Sequence, residues 1–262
     1  GPLMAAAASA DVTPIVEPFE DLDADGHRDD DEPFDDLNND GLYKPVWIAG
    51  FSMDRPALGV HDAIEAKSLL LQKDELRIAI VSVDWVGLLY DDALWLKDMA
   101  HSAGLDVDAL ILSSTHNHEG PDTVGIWGPG VFGSGRDPAY LERSFAAIVA
   151  SLKEAEAELA PVRILAGQGK TEGLIHDSRL PEVMDETVLA LRIERSEDSS
   201  PVALIVHWGN HPECLDGDNQ WITSDFPGAI RRRLEQAEPE AVAIYWQGMV
   251  GGLMNPLHVD VF

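Results

Sequence analysis

The sequence predicts a layered α/β domain: a mixed β-sheet with flanking helices, plus an acidic calcium-loop segment near the N-terminus. Three observations predict it. Apolar runs of strand length alternate with stretches of helical spacing. Two of the apolar runs lead straight into histidine-bearing turns, and in layered α/β proteins ligand sites collect at the carboxyl ends of strands. Acidic residues crowd between 11 and 41, with thirteen Asp or Glu against one Arg.

The elements follow in chain order. Gly1-Pro2-Leu3-Met4 has the form of a remnant left by tag cleavage, so residues 1–10 read as a leading segment and 11–262 as the domain. An acidic insertion at 20–45 interrupts the domain's start. Within it, Asp21, Asp23, Asp25, His27, Asp29 and Glu32 fall at positions 1, 3, 5, 7, 9 and 12 of the twelve-residue calcium loop, with Gly26 at the sharp turn. His27 would contribute its backbone carbonyl and Glu32 a bidentate carboxylate. A partial second copy follows with Asp36, Asn38, Asp40 and Gly41, but Trp47 stands at position 12, so this copy needs outside ligands. Clustered carboxylates repel one another unless a cation neutralises them. The alternative is a disordered acidic tail.

Beyond the insertion, Arg77–Asp84 reads as a strand and Asp91–Ser102 as a helix. Ala109–Ser114 is a strand, and Pro138–Leu159 an Ala-rich amphipathic helix with Pro in its first turn. Val162–Gly167, Thr187–Ile193, Ala203–Val206 and Ala241–Trp246 are further strands. Phe226–Gln236 is a helix whose Arg231, Arg232 and Arg233 suit its C-terminal dipole. The Gly-rich stretch 248–252 lacks the Lys-Ser/Thr of a phosphate loop.

The chemistry-bearing residues stand after two of these strands. Ala109–Ser114 runs into Thr115-His116-Asn117-His118-Glu119-Gly120-Pro121, and Ala203–Val206 into His207-Trp208-Gly209-Asn210-His211-Pro212. Two imidazoles two residues apart share one side of an extended backbone. Two such strands side by side would bring His116, His118 and His211 together. Imidazole is the usual nitrogen ligand of Zn²⁺, and catalytic zinc keeps three protein ligands and an open position. Trp127, in a Gly-rich loop shortly after the first pair, either lines an apolar substrate pocket or packs beneath the loop. Asp84 is a helix or turn cap, or else a partner to an imidazole.

Composition narrows the function classes. A chain of 262 residues with 45% hydrophobic content buries a sizeable core. A formal net charge of −29 repels nucleic acid and anionic membranes, so neither is an expected partner. No apolar stretch is long enough for a transmembrane segment. The single cysteine, Cys214, excludes an intrachain disulfide. Calcium loops suit millimolar extracellular calcium, which predicts a secreted, periplasmic or cell-surface protein.

These residues carry a family resemblance. Thr115-His116-Asn117-His118-Glu119-Gly120-Pro121 resembles the Thr-His-x-His-x-Gly-Pro signature of the neutral/alkaline non-lysosomal ceramidases. His211-Pro212 and Thr223-Ser224-Asp225-Phe226-Pro227-Gly228 are similar to later segments of that family. Asp11-Val12-Thr13-Pro14, Gly59-Val60-His61-Asp62 and Asp137-Pro138-Ala139-Tyr140-Leu141 keep its order. The resemblance implies zinc ligands at His116 and His211, and a further active-site role for His118. It implies that the remaining ligands lie further along than Phe262, so the domain is expected to be incomplete at its C-terminal end, with a second chain as one source of the rest. The family's Gly-Asp-Val-Ser-Pro-Asn segment stands here as Gly251-Gly252-Leu253-Met254-Asn255-Pro256. Met254 occupies the serine position, beside substrate, and a thioether neither donates a proton nor attacks a carbonyl as a hydroxyl does.

The resulting expectation is a zinc-dependent hydrolase of the ceramidase superfamily, cleaving an amide or ester of a lipid-like or other apolar small molecule by metal-activated water. His116 and His118 would be the catalytic residues, and Trp127 and Met254 would contact substrate. The alternative is an exported, calcium-stabilised binding protein that keeps the fold without turnover.

Overall fold

The computed structural model describes residues 1–251 and 254–256. Eight strands form one mixed sheet: β1 (Leu3–Asp11), β3 (Glu65–Lys73), β4 (Leu76–Val83), β5 (Ala109–Ser114), β6 (Ala160–Lys170), β8 (Thr187–Arg195), β9 (Pro201–Trp208) and β11 (Val242–Gln247). Three helices accompany it: α1 (Tyr90–Ser102), α2 (Pro138–Ala157) and α3 (Asp225–Ala237). Short pairs join β2 (Gly59–Val60) to β10 (Trp221–Ile222) and β7 (His176–Asp177) to β12 (Met254–Asn255). No helix among the described residues is long and apolar enough to cross a membrane.

The strand order is β11-β9-β8-β6-β1-β3-β4-β5. The end pairs β11–β9 and β4–β5 are parallel, and the pairs between them antiparallel. The β1–β6 junction is only two residue pairs wide, Met4 with Pro161 and Ala5 with Ala160. The sheet folds over at this joint. Ser82 of β4 donates to the Tyr245 carbonyl of β11 at 2.6 Å, although these strands lie near opposite ends of the order.

Two large apolar layers result, with a smaller cluster of Ile175, Trp208 and Tyr245 beneath Phe226 and Ile230 of α3. Ala5, Leu69, Val162, Ile193, Ile205 and Ile244 fill the space between the halves. Ala6, Ala8, Ala66, Leu70, Val81 and Val83 face away from it, against Leu141, Phe145, Ile148 and Leu152 of α2. The alternation along β1 and β3 is the period of two of a strand buried on both faces. The helix sits as its sequence requires. Asp137 caps it through Ala139 N–H at 2.9 Å, Pro138 occupies the first turn, and the residues 141, 145, 148 and 152 make one stripe.

Several readings move. The domain boundary drawn at residue 11 falls at the end of β1, so residues 3–10 belong to the sheet rather than to a leading segment. An alanine run shows no contrast between faces, and alanine is a weak strand former. It serves here because small side chains let α2 and the second sheet half approach from opposite sides. Arg231, read as a helix-end cation, turns inward and is 2% exposed. β5 and β9 do not lie side by side: β5 is one edge of the sheet, and β9 neighbours the other. The fold of the sheet, not strand pairing, brings their ends together.

Candidate metal centre

Beyond β5 the backbone is tied down residue by residue. Thr115 N–H donates to Val83 at 2.8 Å and Asn117 N–H to Trp85 at 3.1 Å. The Asn117 amide reaches the other way, to Thr223 O at 2.7 Å and Asp84 O at 3.3 Å. Between them His116 takes φ +65°, a left-handed conformation that costs a non-glycine residue about 1–2 kcal/mol. The segment is therefore not the extended strand end expected from the His-x-His spacing. The imidazoles converge nonetheless. His116 and His118 face each other through their Nε2 atoms at 3.3 Å. The His211 ring centroid lies 4.9 Å from that of His116 and 5.5 Å from that of His118. One nitrogen from each ring falls within 4.8 Å of the other two.

The surroundings suit nitrogen donors. His116 Nδ1 lies 2.7 Å from the Val86 carbonyl, so Nδ1–H donates there and Nε2 is left facing the other rings. Burial, and then the neighbouring His116 and His211, lower the His118 pKa to about 3, which keeps its ring neutral. His118 Nδ1 stands 3.2 Å from a Glu213 carboxylate oxygen, at an angle short of a hydrogen bond. Glu213 itself is pushed up to about 7 by burial and then by Asp225 and Asp216. His118 N–H donates to the Pro212 carbonyl at 2.9 Å, which joins the two histidine loops directly. Three convergent imidazoles, with an oxygen behind His116 and another behind His118, fit a zinc-like ion.

The other site residues spread out. Asp84 binds no imidazole. It is fully buried and takes both Arg231 nitrogens, at 2.7 and 2.5 Å, with Glu65 N–H at 2.8 Å. Trp127 belongs to a loop gathered by Asp122, whose carboxylate accepts N–H bonds from Val124, Gly125, Trp127 and Gly135. Met254 pairs with Asp177 in the short β12–β7 ladder. Gly252, at the position of the family's Asp, lies outside the described residues. Sequence reasoning missed Glu213, although its place two residues after His211 was a signal for a supporting carboxylate.

The acidic insertion forms two loops of the same design. In the first, Asp21 accepts from Asp25 N–H at 3.2 Å and Gly26 N–H at 2.9 Å, and Asp25 accepts from His27 N–H at 2.7 Å. In the second, Asp36 accepts from Asp40 at 3.1 Å and Gly41 at 2.9 Å, and Asp40 from Leu42 at 2.8 Å. Asn38 Oδ1 accepts from Asp40 N–H at 2.8 Å, as Asp23 does from Asp25 at 3.3 Å. The carboxylates of Asp21, Asp23 and Asp25 converge. Glu32 lies on the first loop, accepting from Leu22 N–H at 2.6 Å and Asp29 N–H at 2.9 Å. Trp47, the second loop's twelfth residue, is instead bridged to Pro56. Glu17 takes the vacant side of that loop, accepting from Asn38 N–H at 3.4 Å. Glu17-Pro18-Phe19 and Glu32-Pro33-Phe34 each stand just before a loop. Each repeat's Glu thus sits against the other repeat's loop. The exchange is reciprocal around the Phe19–Phe34 bridge, where Glu20 N–H meets Pro33 O and Asp35 N–H meets Pro18 O, both at 2.9 Å. Glu17 was missed, and the repeated Glu-Pro-Phe was the signal for it.

No protein-family model and no curated protein matches the chain. Among solved structures it is similar to the neutral ceramidase from Pseudomonas aeruginosa, with a TM-score of 0.77 and 18% identity over 97% of this chain. A ceramidase complexed with C2 gives the same values. The chain spans 39% of the length of either neighbour. The likeness establishes a ceramidase-like fold.

Proposed function

We propose that the chain carries part of the active site of a metal-dependent hydrolase of the ceramidase type, acting on an amide or ester of a lipid-like or other apolar small molecule. The observation that carries this reading is the meeting of His116, His118 and His211 where two distant strands end, within a ceramidase-like fold. These imidazoles would hold a zinc-like ion. When bound, such an ion supplies Lewis-acid activation of water and of a carbonyl oxygen. The chain's own residues prepare the site. Val86 fixes the His116 tautomer, and burial keeps His118 neutral. Met254, in place of the family's serine, brings no hydroxyl, so this reading assigns no side-chain nucleophile to that position. Trp127 is retained as a substrate contact. The solved neighbours are longer, and further ligands from additional sequence or a second chain belong to this reading.

The two acidic loops are read as calcium sites. Asp21, Asp23, Asp25, the His27 carbonyl, Asp29 and Glu32 serve the first, and Asp36, Asn38, Asp40 and Glu17 the second. Weak calcium sites fill in an extracellular or periplasmic setting, which supports export. The Met254 substitution favours a second reading, a calcium-stabilised binding protein without turnover.

Metal analysis of protein purified without chelator, together with a screen of amide and ester substrates, tests both. Zinc retained and activity lost with chelator support the hydrolase. Ligand affinity without turnover supports the binder, and absence of any transition metal overturns the metal reading. His118 is counted as a third donor on its geometry. If His116→Ala and His211→Ala lose metal while His118→Ala keeps it, His118 returns to a substrate-side role.

A further inference from the structure

The segment 49–55 packs against His118. At Gly50, φ +110°, a Cβ would stand 2.5 Å from the His118 Cβ. The Phe51 ring meets the His118 imidazole edge-on, with centroids 5.3 Å apart, and the Arg55 guanidinium lies 5.2 Å from the Phe51 centroid. Arg55 is 4% exposed. Its Nη2 donates to the carbonyls of Ala49 and His118, both at 2.6 Å. Its Nη1 faces the carbonyls of Asn219, Asp216 and Gly217 at 3.3, 3.4 and 3.5 Å. Glu119 lies 3.5 Å from the same nitrogen and accepts from the Asn219 amide at 2.7 Å. One planar cation therefore joins three loops: its own, the one bearing His116 and His118, and the one that follows His211.

We propose that Arg55 is a positioning residue that sets the His118 imidazole against His116 and His211. The proposal rests on the metal reading for its consequence, but not for its geometry. His118 is held through its backbone carbonyl by a guanidinium nitrogen, and its ring rests on an aromatic that the same guanidinium covers. Arg55 needs the guanidinium plane as well as the charge. Its two nitrogens serve carbonyls on different loops, and an ammonium, as a compact point charge, does not span them. Nothing in the local sequence marks this role, because Arg55 stands 63 residues from His118 in the chain.

The test compares the full chain with its Arg55→Lys and Arg55→Gln variants. Zinc affinity is measured by competition with a chromophoric chelator. The His118 ring is followed by long-range ¹H–¹⁵N NMR in metal-free protein, with the exposed His61 and His101 rings as references. The expected result is folded variants with zinc bound about 10–100-fold more weakly, the range for lost support behind a ligand. His118 resonances should shift while those of His61 and His101 stay in place. Unchanged His118 resonances, or unchanged zinc affinity in a protein whose wild type binds zinc, overturn the proposal. If the wild type binds no zinc, the metal reading fails and the His118 resonances alone decide on Arg55. If both variants fail to fold, the guanidinium holds the fold as a whole, and the site-specific role is overturned.

Discussion

Replacing Arg231 with Met should remove a large part of the domain's stability. Arg231 on α3 and Asp84 after β4 are 2% and 0% exposed, and two guanidinium nitrogens meet two carboxylate oxygens at 2.7 and 2.5 Å. Taking away one member leaves a buried carboxylate without its counter-charge, a loss of about 3–5 kcal/mol. Asp84 would retain Glu65 N–H at 2.8 Å, and hydrogen bonds to charged groups contribute about 1.5–3 kcal/mol, so the lower end, about 3 kcal/mol, is expected. Domains of this kind have roughly 5–15 kcal/mol in total. Asp84→Asn in the same background keeps the acceptor for Glu65 and removes the orphaned charge. The double variant should therefore lose less than the sum of the singles, by about 2 kcal/mol, within the range for residues in contact. Urea unfolding at neutral pH of the four proteins measures the cycle. Additive losses, or an Arg231→Met loss under about 1 kcal/mol, would refute the account of α3 as anchored by this pair.

Stability of the metal-free protein should bend with pH in two directions. Glu119 and Glu213, raised to about 8 and about 7 mainly by burial, bind protons in the folded state that the unfolded chain gives up above its ordinary 4.5, so their contribution falls as pH rises from about 4.5 to 8. His118, lowered to about 3, stays neutral while the unfolded chain protonates below 6.5, so its contribution falls as pH drops from 6.5 towards 3. Glu119→Gln should flatten the alkaline limb, and an unchanged slope between pH 6.5 and 8.5 in urea unfolding would count against this. At position 116, where φ is +65°, Gly should be more stable than Ala by about 1 kcal/mol, the reverse of the usual order. A thermal melt ranking Ala above Gly would deny the left-handed backbone. His116→Ala should abolish turnover on any substrate found, while Met254→Ala stays mild, and full activity in His116→Ala would sink the site. Calcium removal should make residues from about 20 to 41 protease-sensitive, and Glu17→Gln should weaken the second calcium and leave the first. Calorimetry showing two unchanged sites in Glu17→Gln would reject the exchange.

The readability of this chain followed contrast between faces. α2 was legible because its stripe alternates with polar residues, and β5 because its apolar run matches the strand's own bounds, Ala109–Ser114. β1 was not, since alanine looks alike on both faces. Arg231 was misplaced because a cation near a helix end fits the dipole as well as it fits a buried carboxylate, and only the tertiary partner Asp84 decides. The histidine trio was foreseen from residue type and position, but by way of strands side by side. The route through a folded sheet depends on the narrow β1–β6 joint, which involves an unread strand. Glu17 and Arg55 act across the chain on loops far from their own neighbours, and a periodicity search is blind to such ties.

The three imidazoles stand on loops that share no ladder, so sheet hydrogen bonding does not set their spacing. Point contacts set it. His118 N–H on Pro212, the Asn117 amide on Thr223, Arg55 on His118 and Arg231 on Asp84 each join segments that the sheet leaves apart. A polar tie has narrow limits of distance and angle, whereas an apolar contact tolerates sliding. Substitutions in the α2 layer should therefore cost stability and site geometry together. Changes at the ties away from the buried Asp84–Arg231 pair should shift the rings within a fold that still forms. A tie such as Arg55 on His118 can thus adjust the rings within a fold that the sheet, α2 and the Asp84–Arg231 pair maintain.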